Sequence, residues 1–559
     1  MTRLFFEHDI RKVTSLNGAW KIIPDYERNG EKLGWQSSLP ESAKTAIVPH
    51  VWNLEPGLFH HFDVCWYEKV FKSNGGHILI SFGAVSGLCR VWLDGAYLGE
   101  HYGGFSEFDF TAKVTAGEHR LCVRVDGSSD KQTIPLPYVD WFHYCGIIRD
   151  VELAELPETY ICRVKYDYTL SEDLCSAEMN ISLTAESFAD ASLPVHVYIG
   201  EKEIVNSQIQ VKKGERETYT FDNITLDDIK LWDVGEGNLY TVYAIAGDDD
   251  MRDRIGFRHI EARGREILLN GKPVFLKGVN RHEEHPDWGF AVPPQINRRD
   301  MDIIKELNCN TIRGSHYQNS RAFLDMLDEN GLLFWSEIPM WGYSAERMAD
   351  PVVIARGLDM HTEMASECFN HPSIVMWGLN NECATNTPEG HSLCSLYASY
   401  LRMNGGNRLI TFASNVIEWD TCLDLVDVVS VNKYIGWYGE DREEWKKFIP
   451  WLRDRLTEAG VPDRPVIMSE FGAAGMYGYT SFDGNKWTEE YQAELISDVI
   501  ELCRDEPGVV GTYVWQFCDI RSENERDRAR FYNNKGIVNE FRRPKLAYYA
   551  VKKLYGEIK

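Results

Sequence analysis

Two glutamates each close a short apolar run. Glu382 ends Pro372-Ser-Ile-Val-Met-Trp-Gly-Leu-Asn-Asn-Glu382, and Glu470 ends Pro465-Val-Ile-Met-Ser-Glu470. β-prone runs that stop on an acid are how parallel barrel strands deliver catalytic groups to a carboxyl-terminal mouth. Two such acids, about three strand–helix units apart, have the chemistry of glycoside hydrolysis by a carboxylate pair. One carboxyl protonates the leaving oxygen while the other, ionised, attacks the anomeric carbon. In a retaining pair they lie about 5 Å apart, and their repulsion raises one pKa. Glu382, preceded by Asn381, is read as acid/base and Glu470 as nucleophile. A lone strand-end acid is as readily a cap or an arginine partner, so the assignment depends on what surrounds the pair.

Other polar residues end neighbouring runs. Arg281-His282-Glu283 follows a first candidate strand and Arg313-Gly-Ser-His316-Tyr317 ends a second. Asn432-Lys-Tyr434, then Gly436-Trp-Tyr438, ends a sixth, and Trp515-Gln516 an eighth. Amides, hydroxyls and aromatic faces at one mouth suit a polyhydroxylated ring, which needs both hydrogen bonds and flat apolar platforms. Asn381 is expected to reach a hydroxyl beside the anomeric centre, Tyr434 to aim the nucleophile, and Trp515 to form a sugar platform. His282 and His316 either bind sugar or only orient acids. A metal set of His282, Glu283, His285 and His316 is conceivable, but such clusters in barrels are more often hydrogen-bond networks. No metal or cofactor is therefore expected.

Eight strands are needed to position these groups. Candidates lie at 274–280, 309–315, 332–337, 373–381, 408–414, 427–432, 465–470 and 508–515. Amphipathic stretches separate them. Residues 298–307 put Met301, Ile304 and Leu307 on one face, and 320–330 stop at Gly331, as a helix should. Together they predict a (β/α)₈ barrel over 258–559. Residues 1–157 read as a β jelly-roll sandwich, with Asp94-Gly95 a hairpin turn between Val91-Trp-Leu93 and Ala96-Tyr-Leu98. Residues 158–257 read as an immunoglobulin-like sandwich. The segment between Trp341 and Asp350 is short, which predicts an open mouth without a long lid there.

Bulk composition narrows the partners. A formal charge of −26 argues against nucleic acid or an anionic membrane as partner, and requires a local cation if the substrate is an anion. The 13 cysteines include no Cys-x-x-Cys pair, and with no secretory leader or apolar span they indicate a reduced, cytoplasmic protein.

The motifs closely resemble glycoside hydrolase family 2 along essentially the whole chain. Leu16-Asn-Gly-Ala-Trp20, Val48-Pro-His-Val-Trp52 and Cys145-Gly-Ile-Ile-Arg149 are similar to its sugar-binding jelly roll. Gly256-Phe-Arg258 and Leu269-Asn-Gly-Lys-Pro-Val-Phe275 resemble the barrel entry. Asn310-Thr-Ile-Arg313-Gly-Ser-His316-Tyr317 and Asn370-His-Pro-Ser-Ile-Val-Met-Trp377 through Glu382 resemble its two signatures. The resemblance implies a retaining exo-β-glycosidase with the same two roles for Glu382 and Glu470.

Within the family the chain looks most like the β-glucuronidases. Asn432-Lys-Tyr-Ile-Gly-Trp-Tyr438, Trp487-Thr-Glu-Glu-Tyr-Gln492 and Asn533-Asn-Lys535-Gly-Ile537 carry this likeness. In those enzymes an Asn-x-Lys pair holds the sugar carboxylate, which implies that role for Asn533 and Lys535. Asp140 resembles the acid that the jelly roll lends to the mouth, for a sugar hydroxyl. The segment 521–530 departs from the glucuronidase pattern and leaves Arg526, Arg528 and Arg530 as alternatives for facing substrate. A β-galacturonide would present the same carboxylate, so a β-galacturonidase, or a β-galactosidase on neutral sugars, stands as the alternative. A carbohydrate-binding protein without catalysis would need a broken acid pair, and both acids are present. The expected partner is a small glycoside or oligosaccharide. The resemblance also implies a homo-oligomer, dimer or tetramer.

Overall fold

The structure is a computed structural model that describes residue 3, residues 5–523 and residues 528–558. Arg526 lies outside the described residues. Near the amino terminus a four-stranded and a six-stranded antiparallel sheet face one another. Their inner faces bury Trp20, Tyr67, Ile80, Phe82, Val91 and Val123. The Asp94-Gly95 turn joins Leu88–Leu93 to Ala96–Tyr102, with Leu93 opposite Ala96. Both turn residues have positive φ, 51° and 82°, as a tight hairpin requires. A second sandwich follows. Its strand Ser176–Ser187 buries Ala177, Met179, Ile181, Leu183 and Ala185 in strict alternation, the pattern of a sheet with one wet face.

Eight parallel strands then close a barrel. They run Leu276–Asn280, Thr311–Gly314, Leu333–Glu337, Ile374–Asn381, Leu409–Ser414, Val429–Asn432, Val466–Phe471 and Val509–Val514. Each falls inside or within one residue of its expected run. Met301, Ile304 and Leu307 are fully buried, but their helix begins earlier than predicted, spanning Pro294–Glu306. Pro294 sits in its first turn, where a missing N–H leaves no bond unmade. Gly331, at φ +62°, ends the helix Arg321–Asn330. One helical turn, Ala345–Met348, occupies the segment after Trp341. Among the described residues no helix is long and apolar enough to cross a membrane.

The jelly roll is fastened over the barrel mouth. Arg149 donates to Phe105 O on its own side, and to Gln318 O and Glu283 Oε2 of the barrel at 2.8 and 3.2 Å. Gln132 donates to Asp350, and Tyr144 to Glu284. The loop carrying Asp140 is thereby held at the rim.

Candidate active site

Glu470 lies near the end of the seventh barrel strand and is 3% exposed. Its Oε1 accepts from Arg313 Nη1 at 2.7 Å and its Oε2 from Tyr434 at 2.7 Å. Both oxygens are thus fixed in direction, and the expected role of Tyr434 has its geometry. Glu382 follows the fourth strand, at φ +52°, with its amide N–H on Ala413 O of the fifth strand. Its Oε1 accepts from Asn432 Nδ2 at 2.9 Å. Burial, and then the charge of Glu470, push its pKa up to about 8. One carboxyl of the pair is therefore protonated at neutrality, as a general acid must be. Asn381 accepts from Arg313 and Asn432 through Oδ1, at 2.7 and 3.1 Å, while its Nδ2 has no partner among the described residues.

Arg313 is the hub beneath the pair. It is fully buried and grips Glu337 through Nε and Nη2 at 3.0 and 2.9 Å. It also reaches Asn280 at 3.1 Å. Glu337 in turn takes His316 Nδ1 at 2.7 Å. Burial, then the Arg313 charge, lower the His316 pKa to about 3, so the ring is neutral and Nδ1–H donates. Glu337 was missed in the sequence, although it ends its strand just as the two catalytic candidates do.

His282 sits between Trp141, Trp515 and His316, with ring centroids 5.6, 5.6 and 5.4 Å away. Its Nδ1 contacts Tyr317 Oη at 3.3 Å, and Nε2 has no partner among the described residues. Burial first, then His316, hold its pKa well below the usual range. Trp515 is 4% exposed and stacks one face on His316 at 5.1 Å. The conceivable metal set does not converge, because Glu283 binds Arg149, Asn297 and Ser320 and His316 binds Glu337. Asp325, Asp328 and His371 do cluster, but Arg3 and Arg254 already pair with Asp325 there.

On another side of the mouth, Lys535 is buried, and its Nζ donates to Tyr438 Oη at 2.8 Å. The Tyr434, Trp437 and Tyr438 rings surround it at 5.5, 5.6 and 4.9 Å. Burial, then the Arg528 charge, lower its pKa to about 7, although Asp140, Glu470 and Glu382 all favour its charged form. The backbone at Lys535 is tied down, since Gln516 N and Gln492 Nε2 both donate to Lys535 O. Gln492 lies in a helix that Thr488 caps by accepting from Tyr491 N.

Asn533 and Asp140 join this cluster, in an arrangement the sequence did not suggest. Asn533 Nδ2 donates to Asp140 Oδ2 at 2.8 Å. Arg528 grips Asp140 with Nε at 2.8 Å and with Nη2, and also touches Tyr438 Oη at 3.2 Å. Ser522 adds a bond to Asp140 Oδ1 at 3.0 Å. Burial would raise the Asp140 pKa, but Arg528 and Lys535 outweigh it and hold it below the ordinary value. Asp140, the acid that the resemblance lends to the mouth for a sugar hydroxyl, here accepts from Arg528, Asn533 and Ser522. Arg530 turns away to Glu540 and Asn534. Of the two described arginines left as alternatives, Arg528 is the one at the mouth.

The chain matches known families over most of its length. The model described as "Glycosyl hydrolases family 2, sugar binding domain" matches residues 13–157, "Glycosyl hydrolases family 2" matches 159–258, and "Glycosyl hydrolases family 2, TIM barrel domain" matches 260–559. The β-glucuronidase of Paenibacillus borealis is 26% identical, over 98% of this chain and 97% of its own. That of Streptococcus agalactiae is 28% identical over 86% of each. Among solved structures, the β-galacturonidase of Eisenbergiella tayi bound to galacturonate is 32% identical, covers all of both chains and superposes with a TM-score of 0.92. The β-glucuronidase of Ruminococcus gnavus is 25% identical over 98% of each chain, with a TM-score of 0.88.

Proposed function

The chain belongs to glycosyl hydrolase family 2 and is a glycoside hydrolase, and from that premise we propose a retaining exo-β-glycosidase that removes a terminal β-D-hexuronate, with β-D-glucuronides as the first reading. Glu470 attacks the anomeric carbon as Glu382 gives its proton to the leaving oxygen, so the aglycone departs as an alcohol. The resulting glycosyl ester on Glu470 is opened by water. Glu382, now ionised, takes the water's proton, which restores both residues and releases the hexuronate. Asn381 Nδ2 is the donor for the hydroxyl next to the reacting carbon. Trp515 and His282 form the wall behind the ring.

The observation that carries the uronate reading is Lys535. A buried amine that spends one donor on Tyr438, and carries three once protonated, has bonding capacity left for a carboxylate, whose charge favours that protonated form. A neutral galactoside or glucoside gives it no counter-charge. Asn533 and Arg528 supply further donors once Asp140 yields them. A β-galacturonide is the second reading, favoured by the 32% identity to the galacturonidase against 25–28% for the glucuronidases above. The same reading includes the three domain spans 1–157, 158–257 and 258–559. It also places the enzyme in the cytoplasm, on its 13 unpaired cysteines, as a dimer or tetramer. Side-by-side hydrolysis of the nitrophenyl β-glucuronide, galacturonide, galactoside and glucoside is the test. A neutral sugar hydrolysed best would overturn the uronate reading, and either uronide would uphold it while settling C4.

A further inference from the structure

An acid/base residue marks the side on which the leaving group departs, so the surface beside Glu382 should meet the aglycone. This step rests on the acid/base role proposed above. The segment after the fifth barrel strand, residues 415–422, borders the turn that carries Glu382. Glu382 N–H bonds Ala413 O, in the strand that leads into it. Thr385, three residues beyond Glu382, is sewn to it: Thr385 Oγ1 donates to Asp420 at 2.6 Å, and Thr421 N donates to Thr385 O at 3.1 Å. On its other flank Glu418 pairs with Lys433 Nζ at 2.7 Å, and the Lys433 N–H donates to Glu470 O at 2.9 Å. Arg455 fixes the base through Ile417 O and Asp420 O, both at 2.9 Å.

Ile417 is fully buried and Asp420 is 3% exposed, yet Trp419 between them is 70% exposed. A single exposed indole needs no explanation. One carried on a backbone segment hydrogen-bonded to the neighbours of both proposed catalytic carboxylates does, because the main chain that presents it is held in place before any ligand arrives. We propose that Trp419 is the aglycone platform, a specificity-determining residue that stacks on a ring-shaped leaving group, whether a second sugar or an aromatic ring. Either kind of ring offers a flat apolar face to the indole.

The test compares three substrates that share whichever glycone the wild-type enzyme hydrolyses, so that an error in the sugar leaves it intact. They are a disaccharide, a nitrophenyl glycoside and the glycosyl fluoride, whose leaving group has no ring. Stacking worth about 1 kcal/mol predicts that Trp419→Ala lowers kcat/KM for a ring-bearing substrate, relative to the fluoride, about fivefold. Trp419→Phe should restore most of it. A loss on the disaccharide alone assigns a saccharide aglycone, and on the nitrophenyl glycoside alone an aromatic one. A ratio unchanged for both, or one that Trp419→Phe fails to restore in a variant that melts like the wild type, overturns the proposal.

Discussion

Arg313 and Glu337 form a two-pronged ion pair at 2.9 and 3.0 Å in which neither side chain is exposed. The pair stands one layer beneath Glu470, and Arg313 spends its remaining nitrogen on that carboxylate. Glu337→Ala would leave a buried guanidinium without its main counter-ion, which typically costs about 3–5 kcal/mol. The expected outcome is a clearly lower melting temperature by scanning calorimetry, together with a lower kcat, because Arg313 is freed to re-aim Glu470. A variant that melts and turns over like the wild type would show that the pair is idle.

Tyr434 supplies the other bond to Glu470. Tyr434→Phe keeps the ring that faces Lys535 and removes only the hydroxyl. A donor aimed at a reacting carboxylate is worth roughly two orders of magnitude in rate. Steady-state kinetics should show kcat falling by about that factor, with a smaller change in KM. Loss confined to KM would make Tyr434 a binding residue instead.

The pH profile follows from Glu382. Its pKa is raised to about 8, first by burial and then by Glu470. As the proposed general acid Glu382 must carry its proton, so activity is expected below that pKa and lost above it, with the Glu382 step lowering kcat/KM about tenfold per pH unit. The same shift bears on stability. The folded carboxyl holds its proton where the unfolded one, near 4.5, has released it. Between those values folding therefore weakens as pH rises. Glu382→Gln should abolish hydrolysis of substrates with poor leaving groups and, for activated uronides, remove the step near pH 8 from the alkaline limb, leaving only the weaker binding that deprotonation of Lys535 brings near pH 7. A step near pH 8 that survives in this variant belongs to another group.

Much of this site was legible because strand-end residues in a parallel barrel share one mouth whatever else the chain does. Eight apolar runs gave eight strands, and the residues ending them gave Glu382, Glu470, Asn381 and Tyr434. Glu337 was hidden in plain view: it ends the third run, but an acid facing Arg313 and an acid facing substrate look alike in sequence. The helix start at Pro294 precedes the amphipathic run 298–307 because its first turn, Pro294 to Asn297, adds only one buried side chain, Asn297, and no apolar one to the stripe. The choice of Arg528 among its three alternatives was illegible for a different reason. The contact of Arg528 with Asp140 spans 388 residues, and no periodicity links a jelly-roll loop to the segment after the last barrel strand. Trp419 shows the same limit, since only the hydrogen bonds around it distinguish a presented indole from an incidental one.

Lys535 ties substrate choice to protons. Its pKa is lowered to about 7, by burial first and then by Arg528. A bound carboxylate would stabilise the charged form and raise that value. Uronide binding above pH 7 should therefore take up a proton, and its affinity should weaken with each further pH unit, while a neutral glycoside binds independently of this group. Calorimetric titration of free hexuronate into the enzyme at pH 8, in two buffers of different ionisation enthalpy, reads the uptake directly. Lys535→Met should lose the uptake and weaken hexuronate binding by about 2 kcal/mol, some thirtyfold, as expected for one hydrogen-bonded charge pair. Equal heats in both buffers for the wild type would mean that Lys535 is already charged without substrate. An unchanged affinity in Lys535→Met would remove the lysine from the carboxylate site altogether, and with it the physical basis for preferring uronides.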